Sequence, residues 1–190
     1  MMPDTLSDDE KKVLLTLARQ ALTLGVNKRP LEPLDLSTYS DHLKQEGASF
    51  VTLTEGGELR GCIGALEPYQ PLAEDVREHA VAAALEDYRF PQVRPQELAY
   101  IQIEISRLTV PQVLDYRRPE ELIARLRPGV DGLILKDSFR RATFLPQVWE
   151  KLPDPEMFLS QLCQKMGAPA DLWRRRIMQA LVYQVEEFHE

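Results

Sequence analysis

Residues 59–64, with the sequence LRGCIG, combine groups that cysteine chemistry uses. Cys62 supplies a thiol, and a cationic neighbour such as Arg60 raises the thiolate fraction of a thiol. Gly61 and Gly64 lack side chains, so a ligand can approach closely, and their amides could stabilise an oxyanion. The pattern predicts either a nucleophilic or redox thiol, or a buried cysteine whose glycines serve close packing. Packing is the commoner case, because cysteine is among the most buried residue types.

Glu104 is a second candidate for acid–base chemistry. Gln102, Glu104 and Ser106 alternate with three isoleucines, so the polar side chains share one face of a predicted strand. That face is either a solvated sheet surface or the wall of a ligand cleft. His79 lies in an apolar stripe typical of a packed core histidine, although a Cys62–His79 pair would also suit nucleophilic chemistry.

The remaining titratable side chains favour structural roles. Cys163 lies in the apolar stripe of a predicted helix, which indicates a core position. Asp87 and Arg89 follow a predicted helix end, where capping and local ion pairing are expected. The two cysteines are far apart and the three histidines lack ligand spacing, so we expect no metal and no cofactor. The chain has neither a Walker loop nor a G-x-G-x-x-G or G-x-S-x-G motif.

Composition restricts the class of partner. The 190 residues include 23 Lys and Arg against 30 Asp and Glu, a net charge of −7. Nucleic acid and anionic membranes are bound chiefly by surplus basic charge, so neither is expected as a partner. The first residues do not resemble a signal peptide and no apolar stretch approaches a membrane span, which predicts a cytoplasmic protein.

A hairpin is predicted to position the thiol. Two β-rich runs flank Gly56 and Gly57, a pair suited to the positive φ angles of a tight hairpin turn. A two-residue loop there pairs Leu53 with Arg60 and Val51 with Cys62. Because side chains alternate along a strand, Arg60 and Cys62 would then share one face.

Helices and strands are expected along the rest of the chain. Periodicity and capping patterns predict helices over residues 7–25, 41–45, 70–90, 118–129 and 154–167. Strands are predicted over residues 99–110, in a second hairpin turning at residues 137–138, and over residues 181–185. The fold class is therefore α+β, with mostly antiparallel sheets.

The LRGCIG motif resembles the signature of the AMMECR family, the protein A type of the AmmeMemoRadiSam gene set. Further segments resemble the family in the same order, at residues 82–90, 103–109, 132–135, 142–149 and 158–167. The resemblance covers nearly the whole chain. Tyr88 and His79 depart from it, standing where the family usually has proline and asparagine.

The resemblance implies two unequal lobes with flanking helices, both chain ends in the larger lobe, and a cleft faced by the signature strand. No reaction is established for the family, and its gene association suggests a radical-SAM protein and a Memo-type protein as partners. We expect a peptide, a protein partner or a small molecule to bind in the cleft, beside Arg60, Gly61 and Gly64. The alternative is a cleft enzyme, or enzyme subunit, with Cys62 as nucleophile or redox thiol and Glu104 as acid or base.

Overall fold

A computed structural model describes residues 5–190 and divides the chain into two compact units. The first unit extends to Thr109 and takes in Glu186–Glu190, and the second is Val110–Val185. Each unit has its own antiparallel sheet and its own hydrophobic core. The predicted α+β class is confirmed.

The first unit is built on a sheet with the strand order β2-β1-β4-β9, and β3 pairs with the start of β1. Its strands are β1 (Glu46–Glu55), β2 (Glu58–Gly64), β3 (Gln70–Pro71), β4 (Ile101–Leu108) and, apart from its first residue, β9 (Val185–His189). Its helices are α1 (Asp8–Val26), α2 (Asp41–Lys44) and α3 (Leu72–Leu85), with short 3₁₀ turns at Leu36–Thr38 and Pro95–Glu97.

Helix α1 begins as its sequence predicts. The Ser7 side chain accepts from the Glu10 amide, while the Glu10 side chain accepts from the Ser7 amide, which is a complete capping box. The helix runs one residue past Gly25 and ends at Val26. Its predicted apolar stripe is buried: Leu14, Leu17, Ala18, Ala21 and Leu22.

Glu10 also fastens the long segment between α1 and β1. Its carboxylate accepts a hydrogen bond from Ser40 Oγ at 2.5 Å and lies 3.0 Å from His42 Nδ1. Burial raises the pKa of Glu10, but the hydrogen bonds from Ser40, Ser7 and His42 outweigh burial and lower the pKa to about 2. The segment is therefore tied to the first turn of the helix by an ionised carboxylate.

The β1–β2 hairpin turns where the glycine pair predicts. Glu55 pairs with Glu58, and the two-residue loop between them holds Gly56 at φ 60° and Gly57 at φ 87°. Positive φ at both positions is what makes glycine suitable here.

Beyond the turn, the predicted strand register is wrong. A β-bulge makes Arg60 an extra residue, so Leu53 pairs with Gly61 and Thr52 with Cys62. The physical reason is packing, because the position opposite buried Leu53 must approach helix α3 closely and only glycine fits there. Simple alternation therefore does not relate Arg60 to Cys62.

The second unit has the strand order β5-β8-β6-β7. Its strands are β5 (Gln112–Val113), β6 (Gly132–Asp137), β7 (Arg140–Phe144) and β8 (Gln179–Tyr183), and its helices are α4 (Pro119–Arg125), α5 (Pro155–Lys165) and α6 (Leu172–Arg175), with a 3₁₀ turn at Pro146–Glu150. Trp149 stacks on Phe158 with ring centroids 3.7 Å apart. Cys163 is fully buried in the same core, as predicted.

The β6–β7 hairpin turns one residue later than predicted. Asp137 pairs with Arg140, so the loop consists of Ser138 and Phe139. At the outer edge of the same sheet, Lys165 Nζ donates to the Thr143 carbonyl of β7 at 2.9 Å.

Candidate functional site

The two faces of the first sheet differ in character. Val51 and Leu53 are fully buried beneath the helices, whereas Thr52 between them points to the opposite face. Thr52 pairs with Cys62 on one side and with Glu104 on the other. Three neighbouring strands therefore bring the thiol, a hydroxyl and a carboxylate into one line, which we call the Thr52 row.

The three residues of the Thr52 row are half-buried and lie on adjacent strands of the sheet. The Thr52 hydroxyl donates to Cys62 Sγ at 3.3 Å. Adjacent strands lie about 4.8 Å apart, so the backbones at Cys62 and Glu104 are separated by roughly 10 Å.

The backbone of Cys62 is held by a side-chain clamp. Its amide donates to Asp87 Oδ2 at 2.9 Å, and its carbonyl accepts from Arg89 Nη2 at 3.2 Å. Asp87 is 5% exposed and pairs with Arg89 at 2.7 Å. The Arg89 guanidinium and the Cys62 amide hold the pKa of Asp87 well below its usual range, against the effect of burial. The predicted local ion pair is confirmed, but its carboxylate secures β2 and does not cap α3.

Arg60 is engaged with the segment that follows helix α3. Its Nε donates to Glu97 at 2.9 Å, Nη1 to the Pro91 carbonyl at 2.7 Å and Nη2 to the Gln92 carbonyl at 3.3 Å. The Arg60 hydrogen bond lowers the pKa of Glu97 to about 2. Three N–H groups of this guanidinium are thus committed to protein atoms, and its ligand-binding role stays a prediction.

Both signature glycines lie against protein atoms. A Cβ on Gly61 would come within 2.0 Å of the Ala83 carbonyl oxygen in α3. A Cβ on Gly64 would lie 2.4 Å from the Phe50 ring and from the Ser49 carbonyl oxygen. Their close approach is therefore to helix α3 and strand β1.

A second polar cluster lies on the helix face of the sheet. Asp75 of α3 is fully buried and accepts from Ser49 Oγ at 2.6 Å, and His79 Nδ1 lies 3.2 Å from the same carboxylate. Among the described residues, Asp75 Oδ1 has no hydrogen-bond partner. Because Gly61 faces α3, the adjacent Cys62 points to the other face. The structure therefore does not bring Cys62 and His79 together.

Sequence reasoning overlooked Thr52 and the buried Ser49–Asp75 pair. A threonine within a β-rich run reads as an ordinary strand former, and only the register reveals its place between Cys62 and Glu104. The sequence does indicate a partner for Asp75, because a carboxylate beside the apolar stripe of a helix requires a hydrogen-bond partner when it is buried.

Two absences within residues 5–190 bear on the class of site. These residues contain no group of three or more His, Cys, Asp or Glu side chains placed to hold a metal ion. No helix among them is long and apolar enough to cross a membrane.

Comparison with known proteins decides the family. Residues 15–188 match the family model AMMECR1. The chain belongs to the AMMECR1 family. Among its curated relatives, a protein of Methanothermobacter thermautotrophicus is 40% identical over 188 residues, covering 97% of this chain and 96% of the relative. A protein of Thermofilum pendens is also 40% identical, over 201 residues, covering 97% and 92%.

A solved structure has a similar fold. The crystal structure of the uncharacterized protein PH0010 from Pyrococcus horikoshii is similar, with a TM-score of 0.78 and 32% sequence identity. The match covers 97% of this chain and 93% of that one. At this identity and coverage the two share the α+β architecture.

Proposed function

We propose that this AMMECR1-family protein is a binding protein whose ligand contacts the Thr52 row. The observation that supports this most is the alignment of Cys62, Thr52 and Glu104 on one half-buried sheet face. The row offers a sulfur, a hydroxyl and a carboxylate, all of which accept hydrogen bonds. The ligand is a peptide, a protein partner or a small molecule that presents hydrogen-bond donors.

The other signature residues hold strand β2, which carries Cys62, in position. Arg60 fixes the segment beyond α3, and Gly61 and Gly64 let β2 pack against its neighbours. The Asp87–Arg89 clamp fixes the backbone at Cys62. In this proposal Arg60, Gly61 and Gly64 contribute to binding through the position of the strand.

The biological setting comes from the family resemblance and the sequence. A radical-SAM protein and a Memo-type protein are the partners that the AmmeMemoRadiSam association suggests, and the binding takes place in the cytoplasm. The cleft that the resemblance implies stays a prediction, since the proposal depends only on the sheet face of the first unit.

A thermal-shift screen against metabolites, donor-rich peptides and the two purified partner candidates tests the proposal. A ligand of the Thr52 row loses about tenfold in affinity or more with Glu104→Gln, because a hydrogen bond to a charged acceptor is removed. Glu58→Gln is the matched control, since it makes the same charge change at the exposed hairpin turn. A ligand whose affinity is the same in both variants binds elsewhere and contradicts the proposal.

One observation favours the enzymatic alternative, in which Cys62 acts as nucleophile or redox thiol. The Thr52 hydroxyl donates to its sulfur at 3.3 Å, so a polar group that could assist thiol chemistry is already in contact with it. Glu104 would then act as acid or base on a substrate lying above Thr52, because Thr52 pairs with Cys62 on one side and with Glu104 on the other.

The rate of Cys62 alkylation as a function of pH separates the two functions. It is measured in a Cys163→Ala background, so that only one thiol reacts. An enzyme thiol reacts fast at or below neutral pH and slows in Thr52→Val. A thiol that only lines a binding surface reacts as an ordinary cysteine in both proteins.

A further inference from the structure

The hairpin of the second unit exposes an aromatic ring at its tip. Phe139 is 89% exposed, although removing an aromatic side chain from water stabilises a fold. Tight turns favour glycine, asparagine and aspartate, and the first unit uses Gly56 and Gly57 at the equivalent place. The turn itself therefore does not account for a phenylalanine at this position.

The ring is presented by a well-defined turn with cationic neighbours. Ser138 adopts a left-handed conformation, with φ 55°, which non-glycine residues rarely do. The Arg140 guanidinium lies 5.5 Å from the centre of the Phe139 ring, and Arg176 pairs with Asp137 at 3.3 Å. Ile177, next along the chain, is 49% exposed. The tip thus combines apolar surface with basic groups.

The two units carry opposite net charge. Residues 110–185 include 12 Lys and Arg against 9 Asp and Glu, whereas the rest of the sequence has 11 against 21. The hairpin tip belongs to the basic unit. An acidic protein is its complementary partner, and the first unit of every copy of this chain carries a net negative charge.

We propose that the β6–β7 hairpin tip of one copy docks on the acidic first unit of a second copy. Phe139 supplies the buried anchor and Arg140 the charge contact, which are the side-chain types enriched in interface hot spots. Because the two surfaces differ, the contact is heterologous and the chains associate head to tail.

The charge of the whole chain disfavours the other occupants of such a tip. Nucleic acid and anionic membranes present extended negative surfaces, and the chain as a whole has a net charge of −7. The arginines of α6 and its end are paired with carboxylates in the same unit, namely Glu156, Asp171 and Asp137. The charges of these three arginines are therefore neutralised locally, whereas a single protein contact requires only the Phe139 anchor and one charged neighbour.

Sedimentation velocity of the full chain, across protein and salt concentration, tests the proposal. We expect reversible association that weakens with salt and that loses about tenfold in affinity or more in Phe139→Ser and in Arg140→Glu. Met157→Ser is the control, because Met157 is 56% exposed in the same unit but lies in α5. A chain that stays monomeric, or variants that associate like the parent, overturns the proposal.

A photoreactive benzoylphenylalanine in place of Phe139 locates the contact. Cross-links to residues 5–109 of a second copy are expected. Cross-links confined to the second unit overturn the proposal. So does tight binding of the tip to vesicles of anionic lipid or to RNA, with no self-association.

Discussion

Gly61→Ala tests whether the signature glycine serves packing. The new Cβ would lie 2.0 Å from the Ala83 carbonyl oxygen, so strand and helix must separate by about 1 Å to reach the shortest tolerable contact. The opposing atom is backbone, which cannot rotate away like a side chain. Overpacking of this kind costs about 1–3 kcal/mol, and we expect the upper end, about 3 kcal/mol. For a protein of this size that lowers the melting temperature by roughly 6–12 °C.

Thermal and urea unfolding of Gly61→Ala and Gly57→Ala form the assay. Gly57 has φ 87° with no atom near a Cβ, so its substitution costs only the left-handed conformation, about 1 kcal/mol. Gly61→Ala should therefore be clearly the less stable variant. If the melting temperature of Gly61→Ala equals that of the wild type, or exceeds that of Gly57→Ala, the close contact between strand and helix is not the reason for glycine at this position.

Three further outcomes concern single side chains. Because the pKa of Glu10 is lowered from its ordinary value of 4.5 to about 2, the stabilisation that its carboxylate contributes is complete above pH 4.5 and disappears as the pH falls through 2. Glu10→Gln should lose about 2 kcal/mol at pH 7, allowing for solvent screening, and flatten the acid limb of a stability–pH curve. Asp87→Asn should weaken the clamp with Arg89 by about 1–3 kcal/mol and speed hydrogen exchange of the Cys62 amide, whereas unchanged exchange would contradict the clamp. Cys163→Ser should lower the unfolding free energy by about 1–3 kcal/mol and leave binding at the Thr52 row unchanged, because a hydroxyl then replaces a fully buried thiol.

Local pattern was enough to predict the strand that carries Glu104 and the turn of the first hairpin. Ile101, Ile103 and Ile105 alternate with polar residues, and a half-exposed antiparallel strand produces that pattern directly. The glycine pair defines its turn by its own backbone preference. These features depend on residues close in sequence, so they can be read without the rest of the fold.

The register beyond the turn could not be read in the same way. The bulge at Arg60 places Gly61 opposite α3, and the contact partner is Ala83, more than twenty residues away. The clamp on Cys62 likewise joins a strand backbone to the Asp87 side chain after the next helix. Such contacts depend on how the elements pack, and sequence periodicity carries no information about them.

The Asp87–Arg89 clamp also determines how the first sheet ends. β2 is an edge strand of this sheet, and its Cys62 amide and carbonyl point away from β1, toward the side where a strand of another molecule could add. The Asp87 and Arg89 side chains already hydrogen-bond to this amide and carbonyl. In the other sheet, Lys165 donates to a carbonyl of the edge strand β7. One edge strand of each sheet is thus protected against pairing with a strand of another molecule, the contact through which fibrillar aggregates grow. Losing the Asp87 carboxylate would expose the edge of β2 to strand pairing and would also loosen the strand. The resistance of the protein to aggregation is therefore coupled to the same residue that positions its thiol.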